Sequence, residues 1–376
     1  MLRAITAVFG LLAAVAVQAQ ALAVGTTLLL SGPQAAYGRG LQHGAQLAVD
    51  RANAAGGVNG RLLALVVLDD QGDAQRAATN ARQLLERGVV AITGVHGAPA
   101  TLAVAEAIAP GGAPQAALVA PATGAESLRD PPRPGVFHLR AGVAEEASAA
   151  MLHLDTVDIT RYTLVSQAGP LGTSALERLT LELVRIATRP LASERLADGV
   201  TPEEVKRLMA KVCALGPEAL VLATDAVQAA GALAAARSQL CAAQYFVFSE
   251  AGAALAERPP GAAGAHPMAG LLVTQVVPHP GNLHHPLVAE YRRALGAQRA
   301  PEQGSCPSLE GDLGARVVQE ALRAGGREAG RACLLQTLGT RTLELAGLKV
   351  QFGSAQRQPR PFVEITLLDS DGRFRR

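Results

Sequence analysis

Two loops in this 376-residue chain carry backbone and side-chain groups suited to holding a small polar molecule. Gly94 to Thr101 reads G-V-H-G-A-P-A-T, follows a short apolar strand and opens a predicted helix. The free N–H groups and partial positive charge of a helix start suit a carboxylate. Pro99 has no N–H, so anion capture there rests on the backbone around Gly97, on Ala98 and on Ala100. His96 lies in the same loop, either as a further donor or as a structural side chain. The second loop, Ser31 to Gly38, reads S-G-P-Q-A-A-Y-G at the carboxyl end of the first strand. Ligands of open α/β sheets bind at such ends, which makes Tyr37 a candidate wall. A third loop, Ala122-Thr123-Gly124, offers amides and a hydroxyl; Thr123 reads equally well as a helix cap.

Catalytic patterns are missing. There is no G-x-S-x-G, no P-loop and no H-E-x-x-H. The acid pairs Asp69-Asp70 and Glu145-Glu146 are adjacent in sequence, and neighbours on a strand or helix point apart, so neither forms a general acid/base pair. Gly38, Gly40 and Gly44 imitate a dinucleotide fingerprint with the wrong spacing. His279, His284 and His285 sit among prolines and read as a solvated loop rather than a metal site. The expectation is a chain that is not an enzyme and holds no cofactor or metal.

The elements that must position these loops alternate along the chain. A strand at Val24–Leu30, a helix with Leu41, Ala45, Ala48 and Ala52 on one face, and a strand at Leu62–Leu68 form one parallel β-α-β unit, turned by Gly56, Gly57 and Gly60. Helix and strand patterns continue in turn, which predicts α/β layers with mostly parallel sheets. A second series starts near Val143. It includes strands at Tyr162–Ser166, Ala219–Ala223 and Tyr245–Phe248, and a capping box with Pro at the first helical position, Thr201-Pro202-Glu203-Glu204. The two halves read as two versions of one α/β lobe.

Met1 to Ala21 has one Arg, a nearly all-apolar run and small residues at Ala19 and Ala21, the form of a secretory signal peptide. About 355 residues would remain, enough for two domains of ordinary size. Lys and Arg number 34 against 32 Asp and Glu, and no basic patch argues for nucleic acid. Four cysteines in an exported chain favour disulfides over free thiols. Cys213 and Cys241 each fall at the carboxyl end of a helix in successive strand-helix units, so they could bridge at low strain. Cys306 and Cys333 pair less convincingly.

The block Gly25 to Asp70 closely resembles the N-terminus of the type I periplasmic solute-binding proteins, the branched-chain amino-acid binders of ATP-driven importers. The resemblance implies two Rossmann-like lobes joined by a three-crossing hinge, with a ligand between them. Crossings are expected near Arg140, Glu250 and Gly339, giving a first lobe of 22–140 and 251–338 and a second of 141–250 and 339–376. It implies a periplasmic monomer that binds a small solute, an amino acid or related carboxylate, and passes it to a membrane permease or presents it to a membrane sensor. Tyr37, His96, Gly97, Ala98, Ala100, Ala122, Thr123 and Gly124 would line the first lobe, the loop at 94–101 holding a carboxylate. Leu171, Asp225 and Glu250 would line the second. Glu250 matches an acid that pairs with a ligand's ammonium, and reads otherwise as a helix-terminal charge. Ala98 stands where a hydroxyl is common, Leu171 where a tyrosine is common, and Asp225 where an aromatic is usual. Asp225 with Gln228 is also a plain cap.

Overall fold

Apolar runs broken by glycine-rich turns build two sheets in the computed structural model. It describes residues 21–375 except 33–34, 242, 257, 259–265, 300–303 and 353–360. The expected leader therefore falls almost wholly outside the described residues.

The first lobe starts with β1 (Leu22–Leu28), α1 (Ala35–Ala54), β2 (Leu63–Asp69), α2 (Ala74–Glu86), β3 (Ala91–Thr93), α3 (Ala98–Ile108), β4 (Ala117–Val119) and β5 (Val136–Phe137). Its sheet order is β2-β1-β3-β4-β5 and every pair is parallel. The predicted face of α1, Leu41, Ala45, Ala48 and Ala52, is buried. The second lobe is wound from α4 (Val143–Thr156), β6 (Tyr162–Gln167), α5 (Gly169–Arg185), β7 (Ala192–Leu196), α6 (Pro202–Ala214), β8 (Ala219–Ala223), α7 (Ala226–Ser238), β9 (Gln244–Val247), α8 (Ser249–Ala256) and β10 (Leu272–Gln275). The Thr201 capping box forms at the start of α6, with Thr201 and Glu204 bonding each other's backbone N–H. Then come α9 (Pro286–Ala297), α10 (Cys306–Gly325), α11 (Arg331–Thr340), β11 (Leu343–Leu345), β12 (Leu348–Val350), β13 (Glu364–Leu368) and β14 (Phe374–Arg375). The second sheet runs β14-β13-β10-β9-β8-β6-β7, with only the β10–β13 and β13–β14 pairs antiparallel.

Both lobes share one winding. Counting strands in chain order within each lobe, β2-β1-β3-β4-β5 and β7-β6-β8-β9-β10 are both 2-1-3-4-5, a doubly wound order with its switch point between strands one and three. The two halves are two copies of one plan, as the alternating pattern indicates.

Two expected crossings move. Leu272–Gln275 is wholly buried and pairs in parallel with β9, so it is the fifth strand of the second sheet and the chain leaves that lobe after Gln275, not at Glu250. A strand buried on both faces needs neighbours on both edges, and β13 supplies the other one. The return also comes later than Gly339. The β11–β12 hairpin buries Leu343, Leu345 and Val350 in the first lobe's core beside Leu309, Val317 and Leu334, so the chain returns beyond Val350. The tail thus places one hairpin in each lobe.

Helix α10 lies directly on α1. A Cβ on Gly44 would stand 1.7 Å from the Ser308 carbonyl oxygen, and one on Gly311 would stand 2.1 Å from the Leu41 carbonyl oxygen. Only glycine permits backbones that close. Elsewhere in a helix, Gly→Ala stabilises by up to about 1 kcal/mol; here overpacking reverses the sign. Gly44→Ala should destabilise by about 2 kcal/mol or more. A denaturant midpoint at or above the parent's would show that the helices do not meet at this residue.

Cys213 and Cys241 are disulfide-bonded with Cα atoms 5.3 Å apart, tying the end of α6 to the segment after α7. Cys306 and Cys333 are free. Peptide mapping of the non-reduced protein should recover the Cys213–Cys241 peptide, and reduction should lower stability by about 2–4 kcal/mol. Free thiols at both positions would contradict the bridge.

Candidate functional site

The first crossing delivers one arginine into a fully enclosed polar cluster. Arg140 is 4% exposed. Its Nη2 donates to Glu146 of α4 at 3.3 Å and to the Ser249 hydroxyl of α8. Its Nη1 donates to Glu310 of α10 at 3.4 Å and to the Tyr37 hydroxyl at 3.3 Å. Glu146 also accepts from the Thr274 hydroxyl of β10 and from the Ser249 N–H at 3.0 Å. Four elements from both lobes thus meet one cation, and β10 joins the cluster through Glu146. Burial alone would lower the Arg140 guanidinium, but Glu310, Tyr37 and Glu146 around it hold it above its ordinary value. The Tyr37 hydroxyl, pushed well up by burial and by Glu310, stays protonated and donates to Glu310 at 2.6 Å.

The cleft lies between the two switch points. Its walls come from the carboxyl ends of strands in both sheets, and its volume is about 390 Å³, ordinary for a small-molecule site. Leu29 and Tyr37 follow β1, and His96 to Ala100 follow β3; across from them, Gln167 to Leu171 follow β6, Asp225 follows β8 and Glu250 follows β9. Asp69 and Asp70 are structural: Asp69 accepts the Leu30 N–H at 3.0 Å, and Asp70 accepts from Thr27 and Gly72.

Tyr37 presents ring rather than hydroxyl. Its ring stacks on His96, centroids 4.4 Å apart and 13° from parallel. Burial drops the His96 imidazole to about 4, so it is neutral at neutral pH. Gly97, at φ +82°, turns the chain into α3, which has no side-chain cap; Ala98 and Ala100 line the cleft. Helix α5 also starts uncapped at the cleft, where Leu171 forms wall. Asp225 lines the cleft and caps α7 as well, accepting from the Val227 and Gln228 N–H groups at 2.8 and 2.9 Å.

Ala122, Thr123 and Gly124 are the exceptions, because none of them forms cleft wall. Ala122 and Thr123 are fully buried. The Thr123 hydroxyl accepts from the Ala125 N–H instead of facing a ligand, and Arg129 holds the Thr123 carbonyl at 3.1 Å. That anchoring leaves the Gly124 N–H pointed at the second lobe, where it donates to Glu250 Oε1 at 2.7 Å. One lobe's carboxylate thus sits on the other lobe's amide.

Asp198 is a wall residue that the sequence reading misses. It follows β7, whose sequence A-S-E-R-L has no apolar run and buries only Leu196 fully. Its signal is the weak alternation of an edge strand before Asp198-Gly199. Asp198, Asp225 and Glu250 are the acids of the cleft wall, and among the described residues no Lys or Arg joins them.

Comparison with known proteins agrees with this geometry. A family model described as periplasmic binding protein matches residues 21–373. The Leu/Ile/Val-binding protein homolog 1 of Brucella abortus is 32% identical over 89 residues, 24% of each chain, so the match spans about a quarter of that relative's length. A substrate-binding periplasmic protein from Ralstonia solanacearum is 28% identical with a TM-score of 0.81, covering 93% of this chain and 98% of that one. An extracellular ligand-binding receptor from Verminephrobacter eiseniae shares the fold at a TM-score of 0.83 and 24% identity, covering 95% of this chain and 100% of that one. The family and these neighbours are solute-binding proteins, not enzymes. With two like-wound lobes facing each other across a cleft, this chain belongs to the periplasmic binding protein family, in its type I form.

Proposed function

We propose that the chain is an exported, periplasmic receptor that captures an amino acid or a related small carboxylate between its lobes and delivers it to the permease of an ATP-driven importer. The Glu250–Gly124 hydrogen bond carries the reading, because a carboxylate already occupies the first lobe's amide. A free amino acid satisfies both groups at once. Its carboxylate takes the amides of Gly124, Ala98 and Ala100, and its ammonium takes the carboxylate of Glu250. The Tyr37–His96 stack covers its aliphatic part. Among the described residues the wall has three acids and no Lys or Arg, which favours a ligand with a cationic end over a dianion. The apolar leader sequence at 1–21 supports export, and the likeness to a Leu/Ile/Val-binding protein homolog of Brucella supports an amino acid.

A thermal-shift screen over the common amino acids tests the reading. A true ligand at one hundred times its dissociation constant adds about 2.7 kcal/mol of stability. Glu250→Ala should weaken that ligand well over tenfold, since stripping one partner from a buried charge pair costs about 2–5 kcal/mol. Glu250→Gln should lose nearly as much. A carboxylate lacking the amine should lose nothing in Glu250→Ala. If both variants bind the amino acid like the parent, Glu250 is no ammonium partner.

His96 supplies a second test. Neutral down to about 4, it offers the ligand no cation. Affinity should therefore not rise as pH falls from 8 to 5; a rise centred near 6.5 would make His96 an anion-binding cation. Unfolded, His96 takes a proton near 6.5, and folded only near 4. Below about pH 6.5 the unfolded chain binds the extra proton, so stability should fall toward pH 4, by roughly 3 kcal/mol from this group. His96→Gln should flatten that decline, and an unchanged pH profile would contradict the assignment.

A further inference from the structure

The second lobe's cleft wall holds a side-chain pair that the proposed function leaves unused. Gln167 ends β6, and Asp225 follows β8, the neighbouring strand. The Asp225 N–H donates to Gln167 Oε1. A backbone N–H can only donate, so the oxygen of that carboxamide faces Asp225 and its Nε2 is the free end. Among the described residues Nε2 has no acceptor. Asp225 is divided in the same way. Its Oδ1 accepts the Val227 and Gln228 N–H groups, which leaves Oδ2 without a donor among the described residues. Neither free atom is buried, and both residues form cleft wall.

The frame around the pair is tied together. Gln228 Nε2 donates to the Ala197 carbonyl at 3.1 Å, and the Ala168 N–H donates to the Leu196 carbonyl at 2.9 Å, so the loops after β6, β7 and β8 hold one another. One amide donor and one carboxylate acceptor, linked through a single hydrogen bond, thus stand on one wall. Helix α5 starts beside Gln167 without a side-chain cap, and its partial positive charge disfavours a ligand cation there. The Asp225 carboxylate, with Asp198 on the other side of β6, disfavours a ligand anion. An apolar group would cover both free atoms and leave them unpaired. The group that fits is neutral and carries an acceptor next to a donor.

We propose that Gln167 and Asp225 select the ligand's side chain, and that the ligand is an amino acid ending in a carboxamide. The inference rests on the amino-acid reading of the cleft. The side-chain carbonyl accepts from Gln167 Nε2–H, and the side-chain NH₂ donates to Asp225 Oδ2. Strand order sets the length. Glu250 follows β9, so the Asp225 loop stands one strand away and the Gln167 end stands two. At about 4.8 Å per strand, that is the reach from the ammonium of asparagine or glutamine to its side-chain amide. The methylenes between pass the Tyr37–His96 stack and Leu171.

Calorimetric titration of the full chain with L-glutamine, L-asparagine, L-leucine, L-glutamate and L-ornithine tests the assignment. The parent should bind one of the two carboxamides about tenfold or more above each of the other three, since each of those leaves a polar atom unpaired or opposed. Asp225→Asn keeps a cap for α7 but turns a second donor to the ligand, so preference should move from the carboxamide toward glutamate. Gln167→Glu keeps an acceptor for the Asp225 N–H but turns a second acceptor to the ligand, so preference should move toward ornithine. A loosened frame would weaken all five ligands alike and move no preference. A parent that prefers leucine, glutamate or ornithine, or folded variants that keep the parent's order, would overturn the side-chain assignment and leave the amino-acid reading standing. Binding of no amino acid at all would overturn that reading and this inference with it. If one variant does not fold, the other and the parent's order of preference decide.

Discussion

The buried guanidinium of Arg140 constrains everything else. Desolvating a cation costs several kcal/mol, and removing one partner of such a buried pair costs about 3–5 kcal/mol. Glu146 from one lobe and Glu310 from the other both engage it, Tyr37 and Ser249 accept from it as well, and Thr274 holds Glu146. Lobes that swung apart through this cluster would strand a charge. A lobe closure of the kind proposed would therefore pivot about it, and the contacts that exchange would lie further out, where Glu250 meets Gly124. A rigid pivot with a replaceable polar latch is the physical form of a receptor that closes on its ligand.

Topology places the latch. Two sheets of the same 2-1-3-4-5 order, set with their switch points facing, aim the loops after β1, β3, β6, β8 and β9 into one space. Helix starts come with those loops. Asp225 caps α7 and Glu146 accepts the Ser249 N–H at the start of α8, while α3 and α5 are left without side-chain caps. On the proposed function, the cleft would therefore recognise its ligand chiefly through backbone. That fits a wall built from Ala98, Ala100, Gly97 and Gly169, and it makes the missing hydroxyl at Ala98 less consequential than the sequence alone implies.

Much of this is legible in the sequence because the signals are local. The apolar spacing of α1, the Thr201 capping box and the strand Ala219–Ala223 each follow from neighbouring residues. What is not legible depends on distant partners. Strand β7 lacks an apolar run because it is a sheet edge, and Asp198 is missed with it. The crossings at Gln275 and beyond Val350 are set by which sheet needs a further strand, a question local pattern cannot decide. The hydroxyl of Tyr37 looks available to a ligand until α10, more than two hundred residues later, brings Glu310 against it. Thr123 is the same case in reverse: its type suits a ligand donor, while its burial makes it a scaffold for Gly124.

In the proposed function, one carboxylate replaces another on the Gly124 amide as the lobes close. A crystal structure of the chain with its bound amino acid tests this most directly. The ligand's carboxylate should lie on the Gly124 N–H and Glu250 should turn to the ligand's ammonium, with Arg140 still joined to Glu146 and Glu310. A ligand elsewhere in the cleft with the Glu250–Gly124 bond intact, or a broken Arg140 cluster, would contradict it.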